Sequence, residues 1–134
     1  MDFSQEDKHS LLQNLLDISN EKKEYLGSDL KSILEFGAQL SVDEVSIEEL
    51  ILNTKNTYFL KEENSRIVVF YSFLKMLGTK RLNSFEKMLF AKEAGLKLGL
   101  NSIGVSQMIH LFKTGKSSKM TVSDAIRHFK VYQN

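Results

Sequence analysis

The chain has 134 residues, of which 42% are apolar and 26% charged, and it contains no cysteine, proline or tryptophan. This composition is ordinary for a globular protein and excludes a collagen-like or wholly disordered chain. The absence of cysteine excludes disulfide bonds, a thiolate nucleophile, and zinc or iron–sulfur sites with cysteine ligands.

The net charge of +1 conceals two halves of opposite sign. Residues 1–64 contain 14 acidic and 6 basic side chains, whereas residues 65–134 contain 3 acidic and 12 basic ones. One interpretation is that the basic half binds an anionic partner. The other is that the two halves meet, either within one molecule or between two copies arranged head to tail.

The N-terminal residues contain no recognisable targeting signal. The segment Met1–Asp7 is acidic and lacks the positive start and apolar run of a secretory signal. The longest apolar-dense stretch, Ile67 to Leu77, is too short to span a bilayer. We therefore predict a cytoplasmic protein that does not insert into a membrane.

Apolar residues recur at the helical period along the whole chain, which predicts an all-α protein. The first three helices are predicted from Gln5 to about Ser19, from Ser28 to about Leu40, and from about Glu44 to Asn53. The third has two alternative N-caps, which are Asp43 and a capping box that begins at Ser46.

The fourth predicted helix, from about Glu63 to Leu77, is apolar on almost every side. Such a helix normally lies at the buried centre of a bundle. A fifth helix is predicted to begin at Asn83, with Glu86 completing a capping box, and to end at Gly99.

A sixth helix follows from about Ser102 to Lys113. The next segment, Thr114–Met120, is polar and basic, and we predict a flexible loop there. Thr121 then caps a last helix that runs through about Tyr132. The chain is thus predicted to contain seven helices and no strand.

The sequence repeats itself at an offset of 58 residues. Residues 35–51 align without a gap on residues 93–109, and the alignment pairs Gly37 with Gly95. Glycine inside a helix costs about 1 kcal/mol relative to alanine, so paired glycines indicate close helix contacts. Any two amphipathic helices can be slid into agreement, but here one register serves three successive helices.

We therefore predict one domain, residues 1–134, built from two pseudo-symmetric three-helix units. The units are predicted at about 5–53 and 63–113, with an added C-terminal helix at about 121–132. The second unit contains Leu82-Asn83-Ser84-Phe85-Glu86 and Leu98-Gly99-Leu100-Asn101, and the first contains Leu40-Ser41-Val42-Asp43. These segments resemble the TerB-like family, which is named for tellurite resistance.

The resemblance implies an all-helical fold of two three-helix units with an extra helix. Many TerB-like domains also carry an acidic Asp-Gly loop before the second helix of each unit, which is linked to divalent metal binding. The corresponding loops here are Asn20–Glu24 and Gly78–Arg81, and the second contains no carboxylate. Divalent cations need several oxygen ligands, so we predict neither a metal ion nor another cofactor.

The resemblance further implies a protein that works by binding other macromolecules, as an adaptor in stress or envelope-related complexes. We predict that its partner is a protein, with association of two copies as an open alternative. The predicted partner-binding edge consists of basic side chains near the C-terminus: Lys113, Lys116, Lys119, Arg127, His128 and Lys130. The residue pattern gives no indication of an active site, so we do not predict an enzyme.

Residues 91–110 support an alternative function, because they also resemble the helix-turn-helix of phage-repressor-type proteins. The motif needs a small residue in its first helix, a glycine at the turn and a buried β-branched residue in the second helix. Gly95, Gly99 and Val105 occupy these places. The predicted DNA-contacting residues are Ser102, Ser106, Gln107 and His110. Glutamine can pair with adenine, and the lysines beyond the helix would contact phosphates.

Overall fold

The computed structural model describes residues 5, 8–9, 11–14, 37–38, 41–43, 45–46 and 62–132. The chain divides into two compact units, Met1–Lys61 and Glu62–Asn134, and the boundary falls between the two predicted repeat units. All regular elements among the described residues are helical, with no strand, which confirms the all-α class. The predicted helices of the first unit lie mostly outside the described residues, so the count of seven and the pseudo-symmetry stay predictions.

The second unit consists of four α-helices and one short 3₁₀ helix. In chain order these are α1 (Glu63–Leu82), α2 (Phe85–Lys97), α3 (Ser102–Lys113), the 3₁₀ helix (Lys116–Lys119) and α4 (Val122–Lys130). The predicted bounds of the sixth helix match α3. The segment that we predicted as a flexible loop instead contains the 3₁₀ helix.

Helix α1 is the centre of this unit and packs against α2, α3 and α4. Its residues 67–71 are buried without interruption, as its apolar sequence predicts. It makes one edge-to-face aromatic contact with each surrounding helix, with ring centroids 5.5–6.2 Å apart. The pairs are Phe73–Phe90 with α2, Tyr71–Phe112 with α3 and Phe70–Phe129 with α4. Each such pair is worth about 0.5–1.5 kcal/mol beyond the apolar area that it buries.

Helix α1 is kinked at Gly78, where φ is 76° and ψ is 164°. Residues with a Cβ atom disfavour positive φ, whereas glycine adopts it readily. Gly78 therefore allows the chain to change direction after Leu77, where we predicted the helix to end. Asn83 then ends α1, and its side-chain amide donates to the Thr79 and Lys113 carbonyl oxygens at 2.9 and 3.4 Å. The predicted N-cap at Asn83 is therefore wrong.

The N-cap position of α2 belongs to Ser84, which makes no side-chain capping bond. Asn83 and Ser84 are adjacent, and both residue types favour N-caps, so the sequence alone does not choose between them. In the structure the Asn83 side chain donates instead to the Thr79 carbonyl oxygen on its own helix and to the Lys113 carbonyl oxygen on α3.

Helix α4 begins with the predicted cap. The Thr121 hydroxyl accepts a hydrogen bond from the Asp124 backbone amide at 3.2 Å, and the Asp124 carboxylate accepts one from the Thr121 amide at 3.0 Å. These two bonds form a reciprocal capping box. The hydrogen bond from the Thr121 amide to the carboxylate lowers the pKa of Asp124, with a further contribution from the hydrogen bond that Arg127 donates.

Two helix ends in the chain share one hydrogen-bonding pattern at the predicted offset. In each, the last helical turn closes with two backbone bonds of the kind found in the Schellman motif. The bonds are Ser41 N to Ala38 O and Val42 N to Gly37 O in one unit, and Gly99 N to Leu96 O and Leu100 N to Gly95 O in the other. The residues at the turn, Ser41 and Gly99, have φ values of 61° and 76°.

The helix starts that follow these turns also match. The Asp43 carboxylate accepts from the Ser46 amide at 2.7 Å, and the Asn101 side-chain oxygen accepts from the Gly104 amide at 3.0 Å. Asp43 is therefore the cap in the first unit, and the Ser46 alternative is wrong. The Ser46 amide also lowers the pKa of Asp43. Corresponding pairs of residues thus have corresponding bonds 58 positions apart.

Candidate functional site

The basic segment after α3 is attached to the core at both ends. At its start, the Thr79 hydroxyl donates to the Phe112 carbonyl oxygen at 2.7 Å. At its end, the Tyr71 hydroxyl donates to the Met120 carbonyl oxygen at 2.6 Å. Gly115, with φ of 76°, turns the chain between α3 and the 3₁₀ helix. We call residues Lys113 to Lys119 the basic turn.

The lysines of the basic turn differ in exposure. Lys116 and Lys119 are exposed, whereas Lys113 is half-buried at the end of α3. The sequence around them contains no carboxylate over 30 consecutive residues, between Glu93 and Asp124. Hydrogen bonds fix the backbone of the turn. The exposed lysine side chains therefore extend into solvent from a backbone of fixed position.

Tyr71 joins this turn to the aromatic core. Its ring packs against Phe112, and the Lys75 ammonium lies 5.5 Å from its ring centroid. Burial raises the pKa of the Tyr71 hydroxyl, and the nearby Asp124 carboxylate raises it further. The hydroxyl thus stays protonated at neutral pH and can donate to the Met120 carbonyl.

The basic residues of α4 have different environments from those of the basic turn. Arg127 forms an ion pair with Asp124, one helical turn earlier. His128 is half-buried, and its Nε2 donates to the Gly104 carbonyl oxygen at 3.0 Å, while its ring packs beside Phe129. Lys130 is exposed. Of these three residues that we predicted to contact a partner, His128 therefore has a different role, which is to stabilise the packing of α4 against α3.

Helices α2 and α3 cross closely at Gly95. A Cβ atom on Gly95 would lie 2.8 and 2.9 Å from the two Cγ atoms of Val105 and 3.0 Å from Phe70 Cε1. Val105 is fully buried. The corner residue Gly99 has φ of 76°. The small residue, the turn glycine and the buried β-branched residue are therefore at the positions that the helix-turn-helix motif requires.

The outer face of α3 carries the predicted DNA-contacting residues. Ser102, Gln107 and His110 are exposed and Ser106 is half-buried. Ile103 lies on the same face with 59% of its surface exposed. This face contains no Lys or Arg before Lys113, so it offers polar side chains but few charges to a nucleic acid.

Sequence reasoning missed two features near this helix pair. Arg66 of α1 donates from Nη1 to the Leu98 carbonyl oxygen at 2.9 Å, and thereby satisfies the C-terminal end of α2. Three apolar side chains of α2 are also exposed, to between 42% and 71%: Phe85, Leu89 and Leu96. Their spacing could have indicated a second apolar stripe on α2, because all three lie within a narrow sector of the helix.

The boundary between the two compact units also separates the acidic part of the chain from the basic part. Residues 62–134 contain 12 basic and 5 acidic side chains, whereas residues 1–61 contain 6 and 12. Among the described residues, no group of three or more histidine or acidic side chains is arranged to hold a metal ion. In the same part of the chain, no helix has the length and apolar character needed to cross a membrane.

Comparison with models of known protein families, with curated proteins and with solved structures found no match.

Proposed function

We propose that the chain is a non-enzymatic, TerB-like interaction module whose C-terminal unit binds an acidic segment of a protein partner. The observation that carries this proposal is the basic turn, whose exposed Lys116 and Lys119 are presented from a backbone anchored at both ends. Anchoring matters because binding then orders less of the protein, and less conformational entropy is lost. A cytoplasmic location is part of the proposal.

Charge supports an acidic partner over a neutral one. The unit has a surplus of basic side chains, and none of its carboxylates lies between residues 94 and 123. Lysine ammonium groups are compact charges on flexible side chains, and they form ion pairs with carboxylates without a fixed pairing geometry. Lys113, Lys116, Lys119 and Lys130 are the proposed contacts. Arg127 contributes less because Asp124 already neutralises it in part.

The pseudo-symmetric arrangement of seven helices remains part of this proposal. Its support is the recurrence of the same turn and cap hydrogen bonds at the offset of 58 residues. Exposure agrees at one further pair: Val45 and Ile103, also 58 positions apart, are 64% and 59% exposed. These local correspondences are what a duplicated three-helix unit would produce.

The test is a binding titration with a defined acidic probe. A fluorescein-labelled peptide of alternating glutamate and serine residues is titrated with the full chain at about 20 mM salt, where screening is weak. Each exposed ion pair contributes about 0.2–1 kcal/mol, so the Lys116→Ala/Lys119→Ala variant should bind roughly twofold to thirtyfold more weakly. Its melting temperature should match the wild type, because both side chains are exposed.

Lys92→Ala is the control, because it removes one half-buried lysine from α2, a helix that contributes no residue to the basic turn. It should alter peptide affinity by less than about 1.5-fold. Absence of wild-type binding at low salt would contradict the proposed function. So would a large loss of stability in the double lysine variant, since the turn would then be structural.

DNA binding through α2 and α3 is the second candidate function, and the close contact of Gly95 with Val105 favours it. It predicts that log affinity for duplex DNA falls linearly with log salt, with a slope of about −0.9 for each phosphate contacted. Gln107→Ala should then remove sequence preference. The scarcity of basic residues on the outer face of α3 ranks this function second.

A further inference from the structure

We propose that Lys80 belongs to the same acidic-peptide surface as the basic turn, although Lys80 and Lys113 are 33 positions apart in the sequence. This inference rests on the proposed function and names a contact that the sequence pattern does not assign. It depends on how the chain folds back after α1.

The kink at Gly78 places a short turn of chain against the end of α3. Two hydrogen bonds hold it there. Thr79 donates from its hydroxyl to the Phe112 carbonyl oxygen at 2.7 Å, and Asn83 donates from its amide to the Lys113 carbonyl oxygen at 3.4 Å. Lys80 lies between these two bonded residues. The backbone on which Lys80 stands is therefore fixed next to the first residue of the basic turn.

The cations here are not required to cap α3. Cations often gather at a helix C-terminus because they satisfy its last carbonyl groups and its dipole. At α3, however, the Phe112 carbonyl already accepts from Thr79 and from the Gly115 amide, and the Lys113 carbonyl accepts from Asn83. The charges of Lys80, Lys116 and Lys119 are thus available to a ligand.

The surrounding sequence leaves these charges unneutralised. Lys80, Lys116 and Lys119 are exposed, and within residues 62–132 none of them forms an ion pair. Neither residues 78–83 nor residues 113–119 contain a carboxylate. Two segments that are distant in sequence thus form one cationic surface, which suits a peptide with carboxylates at several positions along its length.

The experiment compares single substitutions in the full chain with the glutamate–serine peptide as probe. Lys80→Ala and Lys116→Ala should each weaken binding about threefold, and the double variant about tenfold, as expected for exposed ion pairs to one ligand. The charge reversal Lys80→Glu should weaken it about tenfold or more, since it adds repulsion to the lost attraction. Lys92→Ala is again the control.

Affinities of Lys80→Ala and Lys80→Glu equal to that of Lys92→Ala would overturn the inference. If Lys116→Ala still weakened binding in that case, the proposed function would stand without Lys80. Failure of the wild-type chain to bind the peptide would overturn both proposals. Unchanged melting temperatures in the lysine variants exclude unfolding as the cause of any loss.

Discussion

Gly95→Ala provides a sharp test of the packing between α2 and α3. Alanine favours a helix interior over glycine by about 1 kcal/mol, so an uncrowded site would be stabilised. Here the new Cβ would lie 2.8–3.0 Å from Val105 and Phe70, both fully buried. Overpacking of this kind costs typically about 1–3 kcal/mol. We therefore expect a net loss of about 0–2 kcal/mol in the free energy of unfolding, measured by urea denaturation.

A double-mutant cycle isolates the contact. Val105→Ala removes the two Cγ atoms that Gly95→Ala would meet, and alone it should cost about 2 kcal/mol because a buried cavity is left. In the double variant the added methyl partly fills that cavity. The two effects should therefore fall short of additivity by at least about 1 kcal/mol. Phe70 limits the rescue, since it remains 3.0 Å from the new Cβ. Additive effects, or stabilisation by Gly95→Ala alone, would refute the close packing.

Three further predictions concern helix ends. Thr121→Ala should cost about 1 kcal/mol in the free energy of unfolding through loss of the capping box, and an unchanged urea midpoint would count against that cap. The lowered pKa of Asp124 stabilises the folded chain at pH values above the ordinary pKa of 3.8. This stabilisation is lost as the pH falls through the lower pKa of the folded state. The stability difference between wild type and Asp124→Asn should therefore shrink on acidification, and a difference that persists at pH 2 would contradict this cause. Gly99→Ala should destabilise more than Gly115→Ala in thermal melts, although both glycines have φ of 76°. At Gly99 a Cβ would lie 2.7 Å from Arg66 Nη1 and displace its hydrogen bond to the Leu98 carbonyl, whereas at Gly115 it would meet nothing within 4 Å. Equal losses would argue against that contact.

Much of the second unit could be predicted because its signals are local. The cap at Thr121, the positive φ at Gly99 and the bounds of α3 all depend on residues within a few positions of one another. The buried centre of the unit could also be predicted, since α1 is apolar on almost every side.

Some features could not be predicted because they depend on contacts with residues that are distant in the sequence. Asn83 has the sequence character of an N-cap, but a carbonyl on α3 engages its side chain. The basic turn was visible as a run of lysines, whereas its connection to Lys80 depends on a hydrogen bond between residues 33 positions apart. The ion pair of Arg127 with Asp124 is an exception, because its i to i+3 spacing is local and could have been predicted from the sequence.

We propose that acidic peptides bind the basic turn and the adjoining Lys80 segment. The most direct measurement is a nuclear magnetic resonance titration of the ¹⁵N-labelled chain with the glutamate–serine peptide. We predict that amide shifts concentrate in residues 79–83 and 113–120, while the exposed face of α3 around Gln107 is unaffected. Shifts confined to residues 102–110, or no shifts at low salt, would show that acidic peptides do not bind this surface.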